Sequence, residues 1–252
     1  MNYTTYYLSR YPLFFILINL FLFSSCTEEL DDCFFLTQEK VNRQFELASF
    51  SGVKSTLKGT YTFKQGDEHK IEISGHPRYI DSLNTRVIND QLTLGSRFPF
   101  CNEATTPFEI TITQPRLEKI FIDAESTVTI EDFENQSDLH IKLSQKSFLD
   151  IHHFEGLRNF YAFISQNAVI SSVEKLSPLE QIDIVIEGKG QFSGYPMPAK
   201  KVNVNILGKG HCEVNAIEKL HVEIKGDASV FSKGEPILYK RITGKGDVYF
   251  TD

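Results

Sequence analysis

IEGKGQF, Ile186 to Phe192, is echoed by ILGKGHC, Ile206 to Cys212, and near the end of the chain by ITGKGDVYF, Ile242 to Phe250. Aligned on the leading aliphatic residue, four further segments join these three: IDAESTV at Ile122, LSQKSFL at Leu143, ISQNAVI at Ile164 and IKGDASV at Ile224. Successive leaders are 21, 21, 22, 20, 18 and 18 residues apart. Four positions after the leader stand Ser126, Ser147, Ala168, Gly190, Gly210, Ala228 and Gly246, all small. Two positions further stand Val128, Leu149, Ile170, Phe192, Cys212, Val230 and Val248, all apolar. An aliphatic, a small and an apolar residue returning together every ~20 residues is the pattern of a solenoid, whose repeats cannot bury their own faces and therefore stack. The segments are short, alternating and β-branched, so each repeat reads as strand, and equivalent residues should lie about 4.8 Å apart as parallel-sheet neighbours. The expected fold is all-β, a parallel β-helix (solenoid) of about seven coils with ladders of Ile and Val inside. The small residue is expected where one strand bends into the next, since a large side chain there would meet its equivalents above and below. Glycine would also tolerate a positive φ at a tight corner.

Upstream of residue 108 the pattern differs. YTFKQGDEHKIEI places Gln65-Gly66-Asp67-Glu68 between two alternating runs, and RVINDQLTL does the same around Asn89-Asp90. Both read as antiparallel hairpins. Helical periodicity is scarce, with LTQEKVNRQ, Leu36 to Gln44, the best candidate. The composition agrees with a strand-rich chain: of 252 residues, 21 are Phe and 10 Tyr, against 2 Met and no Trp. A formal net charge of −7 argues against a surface that tracks phosphates, so nucleic acid is not an expected partner.

The first 25 residues read as an export signal. Arg10 closes a Tyr-rich start, Leu13 to Phe23 is apolar except for Asn19, and Ser24-Ser25-Cys26 follows. The apolar run is short of the ~20 residues that a membrane-spanning helix needs. LFSSC resembles the lipobox of bacterial lipoproteins, which implies lipidation of Cys26 as the first mature residue and attachment to a membrane through that lipid. TEELDD then reads as an acidic tether. The expected organisation is a signal peptide over 1–25, lipidated Cys and tether over 26–44, and one head domain over 45–252, hairpin-rich to 107 and coiled from 108. Cys33 and Cys101 could form a disulfide in an oxidising compartment. Cys212, at an apolar repeat position, is expected to lie reduced in the core.

Gly-Lys-Gly is not a phosphate loop, because Ser or Thr does not follow the Lys and no helix stands behind it to aim amide groups at an anion. The middle turn residues, Glu125, Lys146, Asn167, Lys189, Lys209, Asp227 and Lys245, should instead form one exposed column. Lys189, Lys209 and Lys245 are its candidate ligand-facing members, suited to anionic glycan or lipid headgroups. His152 and His153 are adjacent and point to opposite faces of a strand, so a shared metal is not expected. The candidate carboxylates Asp150, Glu155, Asp183 and Glu187 do not recur at one phase of the repeat, so catalytic residues and cofactors are not expected either. Asp81-Ser82-Leu83 resembles an O-glycosylation acceptor of Bacteroidetes.

FELASFSGVKSTLKGTYTFKQGDEHKIEISG from Phe45, RVINDQLTLGS from Arg86 and the repeated I-x-G-K-G cores together resemble the GIN-domain family of auto-transporter adhesin heads, over roughly residues 45 to 250. The resemblance implies a β-helical, surface-associated lipoprotein of Bacteroidetes type, with no catalytic residues to carry over. The expected role is that of a lipid-anchored, non-enzymatic adhesin or structural module of the outer membrane, facing the periplasm or the cell surface. Its expected partners are a glycan or an envelope or extracellular protein. A carbohydrate-active β-helix enzyme, lyase or hydrolase, is the alternative. The last turn has an open edge, so Val248 to Asp252 should form a cap or meet a neighbour, and end-to-end or edge self-association is expected there.

Overall fold

The computed structural model describes residues 40–97 and 108–251. In chain order its elements begin with β1 (Val41–Glu46), β2 (Gly52–Ser55), β3 (Gly59–Gln65), β4 (Lys70–Gly75), α1 (Pro77–Asp81), β5 (Leu83–Ile88), β6 (Gln91–Ser96) and β7 (Phe108–Gln114). There follow β8 (Lys119–Ile122), β9 (Ser126–Ile130), β10 (Asp138–Leu143), β11 (Phe148–Ile151), β12 (Asn159–Gln166) and β13 (Val169–Ser172). The last are β14 (Leu179–Gly188), β15 (Gln191–Gly208), β16 (His211–Gly226), β17 (Ser229–Lys233), β18 (Ile237–Thr243) and β19 (Asp247–Phe250).

From β8 onward the chain is a parallel solenoid whose register is the repeat alignment itself. The leaders pair in sequence, Ile122 with Leu143, then Ile164, Ile186, Ile206, Ile224 and Ile242. So do the apolar followers, Val128 with Leu149, then Ile170, Phe192, Cys212, Val230 and Val248. Seven rungs result, each with one strand in a first column (β8, β10, β12, β14, the C-terminal halves of β15 and β16, and β18) and one in a second (β9, β11, β13, the N-terminal halves of β15 and β16, β17 and β19). A third side closes each coil. In the early coils Phe133 and Phe154 bridge and stack there at 5.5 Å. In the later ones the strand runs almost straight through, with register shifts between Ser193 and Pro198 and between Ala199 and Lys201. Alternate residues are buried, as LEQIDIVIEG of β14 illustrates with Ile182, Ile184 and Ile186 inside. Each such side chain contributes about 1.5–3 kcal/mol on leaving water. Cys212 is a fully buried free thiol between Phe192 and Val230, and burial holds it well above its ordinary pKa.

The corner residues also sit as aligned. Ser126, Ser147, Ala168, Gly190, Gly210 and Ala228 are buried, and Gly246 in the last rung is half-buried. Their smallness has a steric cause: a Cβ on Gly210 would lie 2.6 Å from Ile186 Cγ2 and 2.9 Å from the Gly190 carbonyl oxygen. The positive φ lies elsewhere, two residues earlier, at Gln145, Gln166, Gly188, Gly208, Gly226 and Gly244. At Gly226, with φ +139°, a Cβ would meet the Gly208 carbonyl oxygen at 2.2 Å, so only glycine fits there.

The N-terminal part is more closely woven into the solenoid than hairpins alone would make it. Asn89 and Asp90, both at positive φ, turn β5 into β6 as an antiparallel hairpin. The chain also reverses after Gln65, but β3 and β4 are not neighbours: β7 lies between them, parallel to β3 and antiparallel to β4. The β2–β3 segment is itself a rung, with Val53 between Leu92 of β6 and Ile120 of β8. A further rung, β6–β7, lies on its outer side, and β4 and β1 close that end antiparallel. Parallel pairing therefore begins at Gly52, upstream of residue 108. Residues 41–44 of the expected helical segment lie in strand β1, which is held to β4 from Val41↔Gly75 to Glu46↔Lys70. The helix that does form, α1, starts at Pro77 with the His76 side chain accepting from Arg78 N–H at 3.3 Å. Inside this end the buried Tyr61 hydroxyl meets Ser55 Oγ at 2.6 Å and donates to the Leu57 carbonyl at 2.6 Å.

Candidate functional site

A strand turned inward at every second residue presents the others outward, and parallel register lines them into lanes. The first column has two. One lane runs Lys119, His140, Tyr161, Asp183, Asn203, His221, Tyr239. The other runs Phe121, Lys142, Phe163, Val185, Asn205, Glu223, Arg241. Side-chain length varies along both. Asp183 and Asn203 are short between Tyr161 and His221, and Val185 and Asn205 are short between Phe163 and Glu223. The result is a depression of about 570 Å³ over the middle rungs, lined by all of these except Phe163 and extending to Tyr239 and Arg241.

Its floor is organised by one carboxylate. Asp183 Oδ1 accepts from Asn203 Nδ2 and Oδ2 from Gln181 Nε2, both at 2.7 Å. The neighbouring Asn205 Oδ1 is covered and has no hydrogen-bond partner among the described residues. Aromatic pairs stand at both ends: His140 with Tyr161 at 5.7 Å, and His221 with Tyr239 stacked at 4.6 Å and 9°. Glu223 lies 3.0 Å from Lys225, whose ammonium holds the Glu223 carboxyl below its ordinary pKa.

The residues singled out from the sequence are placed as follows. Lys189, Lys209 and Lys245 are exposed in one turn column, and none is in an ion pair among the described residues. Asp227 interrupts the column, its carboxylate accepting the Lys245 backbone N–H at 3.3 Å. The column flanks the depression, separated from it by the lane of Glu187, Leu207, Lys225 and Thr243. Cys26, Cys33 and Cys101 lie outside the described residues. His152 Nδ1 is 3.8 Å from Glu174, and no group of three His, Cys, Asp or Glu side chains could hold a metal among the described residues. Asp150 is in the second column and Glu155 on the third side, so they do not converge with Asp183. Both Asp183 oxygens accept from amides and Glu223 is paired with Lys225, so among the described residues this face does not bring together the free carboxylate pair that glycoside chemistry uses. Of the residues in the depression, only Asp183 had been singled out from the sequence. Tracing the outward phase of each repeat would have found the rest.

The family described as "Putative auto-transporter adhesin, head GIN domain" matches residues 49–236. The chain belongs to this family. As a GIN-domain protein it also shares its fold with solved structures of low identity. A "putative adhesin" from Bacteroides fragilis superposes with a TM-score of 0.76 at 19% identity, over 85% of this chain and 97% of that one. A "putative adhesin" from Parabacteroides merdae gives 0.65 at 16%, over 86% and 98%. A "Putative lipid binding protein" from Parabacteroides distasonis gives 0.66 at 14%, over 86% and 98%. No curated protein matches. In this chain the solenoid interior is filled by side-chain ladders, so a ligand must meet the GIN domain from outside.

Proposed function

We propose that this GIN-domain protein is a lipid-anchored adhesin of the bacterial outer membrane that binds through the outer face of its first column. The observation that supports this reading is the depression over Asp183 and Asn203, which joins fixed polar groups to exposed aromatic rings on a rigid sheet. Ligand sites of this size characteristically combine a largely apolar lining with a few oriented polar groups. The leader and Cys26 supply the anchor, and TEELDD the tether that sets the head off the bilayer. Two of the similar solved proteins are named putative adhesins, which supports a role in adhesion; the proposed location is the envelope, periplasmic or surface-exposed, and the proposed partner a glycan or an extracellular protein. Lys189, Lys209 and Lys245 add a basic flank for an anionic part of that partner, and a Cys33–Cys101 bridge would tie the tether to the head.

Fractionation of host cells combined with protease shaving tests the placement. The wild-type chain is expected in the membrane fraction and to be cut by protease added to intact cells, whereas Cys26→Ser is expected to lose the membrane. A wild-type chain recovered wholly in the soluble fraction would end this reading.

A further inference from the structure

We infer that the depression between Tyr161 and His221 is a saccharide subsite that takes one or two uncharged pyranose rings laid along the solenoid axis. The inference rests on the reading of this face as the binding surface and names the ligand class. Three rung spacings of about 4.8 Å separate the lanes' aromatic walls. That span suits a short stretch of sugar, whose ring repeat is comparable to one rung.

The chemistry fits hydroxyl groups in particular. Both Asp183 oxygens are occupied, which fixes Asn203 by its Nδ2 and leaves the Asn203 carbonyl oxygen as a positioned acceptor. Asn205 Oδ1 is covered and without a donor among the described residues, a state that costs stability, and a small turn of this half-buried side chain toward the depression would let a sugar hydroxyl supply the donor without bringing a charge. Tyr161 and His221 offer π-surface at the two walls, with Tyr239 stacked behind His221, as aromatic side chains with one wet edge commonly do at interfaces.

Two other classes fit less well. A polyanion would meet Asp183 and Glu223 directly, and the two cations of the lining, Lys240 and Arg241, both lie at one end, with Lys240 already paired to Asp247. A peptide recruited by strand addition needs free backbone donors and acceptors; the strands between Tyr161 and His221 are paired on both sides, β14 with β12 and β15, and β15 with β14 and β16, and the one-sided strand β18 lies beyond His221, so a peptide added there would run past the end of the depression and not within it.

Saturation-transfer NMR on the full chain in detergent micelles, with cellobiose, α-mannobiose and N,N′-diacetylchitobiose as separate probes, tests the inference. At least one disaccharide should receive saturation at its ring C–H protons. Its affinity should fall by roughly tenfold, a loss of about 1.4 kcal/mol, in His221→Ala and in Asn205→Leu. Phe148→Ala, an exposed aromatic change in the second column, should leave it unaltered, with melting temperatures confirming that all three variants fold. No transfer to any probe, or a loss that Phe148→Ala reproduces, overturns the saccharide assignment. Adhesion of cells measured in parallel separates the two levels. If the depression variants abolish adhesion while no probe binds, the saccharide assignment falls and the binding face stands; if they alter neither, both fall.

Discussion

Gly210 and Lys209 are chain neighbours with opposite duties. Lys209 is exposed and unpaired among the described residues, whereas Gly210 is buried at a corner with aliphatic carbon of the preceding rung 2.6 Å from where a Cβ would be. Gly210→Val should therefore force the Ile186 and Ile206 ladder apart at a cost of about 1–3 kcal/mol, the usual range for overpacking a tight core. Lys209→Ala should stay within about 0.5 kcal/mol. Chemical denaturation midpoints of the two variants, taken with equal slopes, read the difference, and equal losses would contradict the steric account. The repeat alignment located the corner residues correctly but attributed two properties to one glycine. In I-x-G-K-G the second glycine is there for space and the first for φ, which is why alanine and serine can replace the second in other coils. Where the first is replaced, Gln145 and Gln166 adopt φ of 64° and 60°, a mild left-handed value, unlike the 133° of Gly208 that no side chain follows comfortably.

At the scale of elements, the end of β10 is tied to the end of β8 by more than backbone pairing. Ser144, after β10, donates its hydroxyl to the Asp123 carboxylate after β8, and also to the Ile122 carbonyl at 3.4 Å. The Ser144 bond, ahead of the weaker help of Gln145 and Lys142, holds the Asp123 carboxyl below its ordinary value of about 3.9. A depressed folded pKa means stability that is present above the unfolded pKa and lost as pH falls through the folded one. Ser144→Ala should thus lower the melting temperature at neutral pH, with the gap to wild type narrowing below pH ~4 as Asp123 takes up its proton in both proteins. A gap that stays constant down to pH ~2 would assign the effect to packing instead. Elements were legible wherever one strand's pattern sufficed. The Asn89-Asp90 hairpin follows from its turn residues, and the seven leaders follow from their spacing. What pairs with what over long separations was not legible: neither the Gln65–Glu68 turn nor β3 carries a mark that β7, more than forty residues on, will lie between β3 and β4. The same holds for residues 41–44 of the segment read as helical, which become strand because β4 offers an edge. The depression was hidden for a related reason, since it is made by lengths of outward side chains across rungs, and the repeat had been read by its inward positions.

The whole molecule has unlike ends. β4 and β1 close the N-terminal one antiparallel, while at the other β18 and β19 pair, among the described residues, on one side only, with β16 and β17. Val248 to Phe250 belong to that last rung and do not cap it. A bare rung with a continuous apolar interior would template a second copy, the usual hazard of an edge strand. One residue opposes this. Along the middle interior ladder run Val53, Ile120, Ile141, Ala162, Ile184, Val204 and Val222, and in the final rung the same position is Lys240. Its ammonium reaches Asp247 Oδ1 at 2.9 Å, holding that carboxyl below its ordinary pKa. An inward-phase charge is cheap while the end faces water and costly once another rung covers it, because it would then be desolvated. Any antiparallel end-to-end pairing of β18 that preserves its inward and outward faces sets Lys240 opposite Leu238, Ile242 or a second Lys240. The self-association expected from an open edge is therefore weakened by a single side chain, and Lys240→Val should restore it. Sedimentation velocity across a concentration series is expected to show a reversible dimer for the variant under conditions where the wild type sediments as a monomer. Lys240→Gln, which removes the charge and keeps a polar group, should fall between the two. A variant that remains monomeric throughout, or a wild type that is already dimeric through this end, would remove Lys240 from the role of guard.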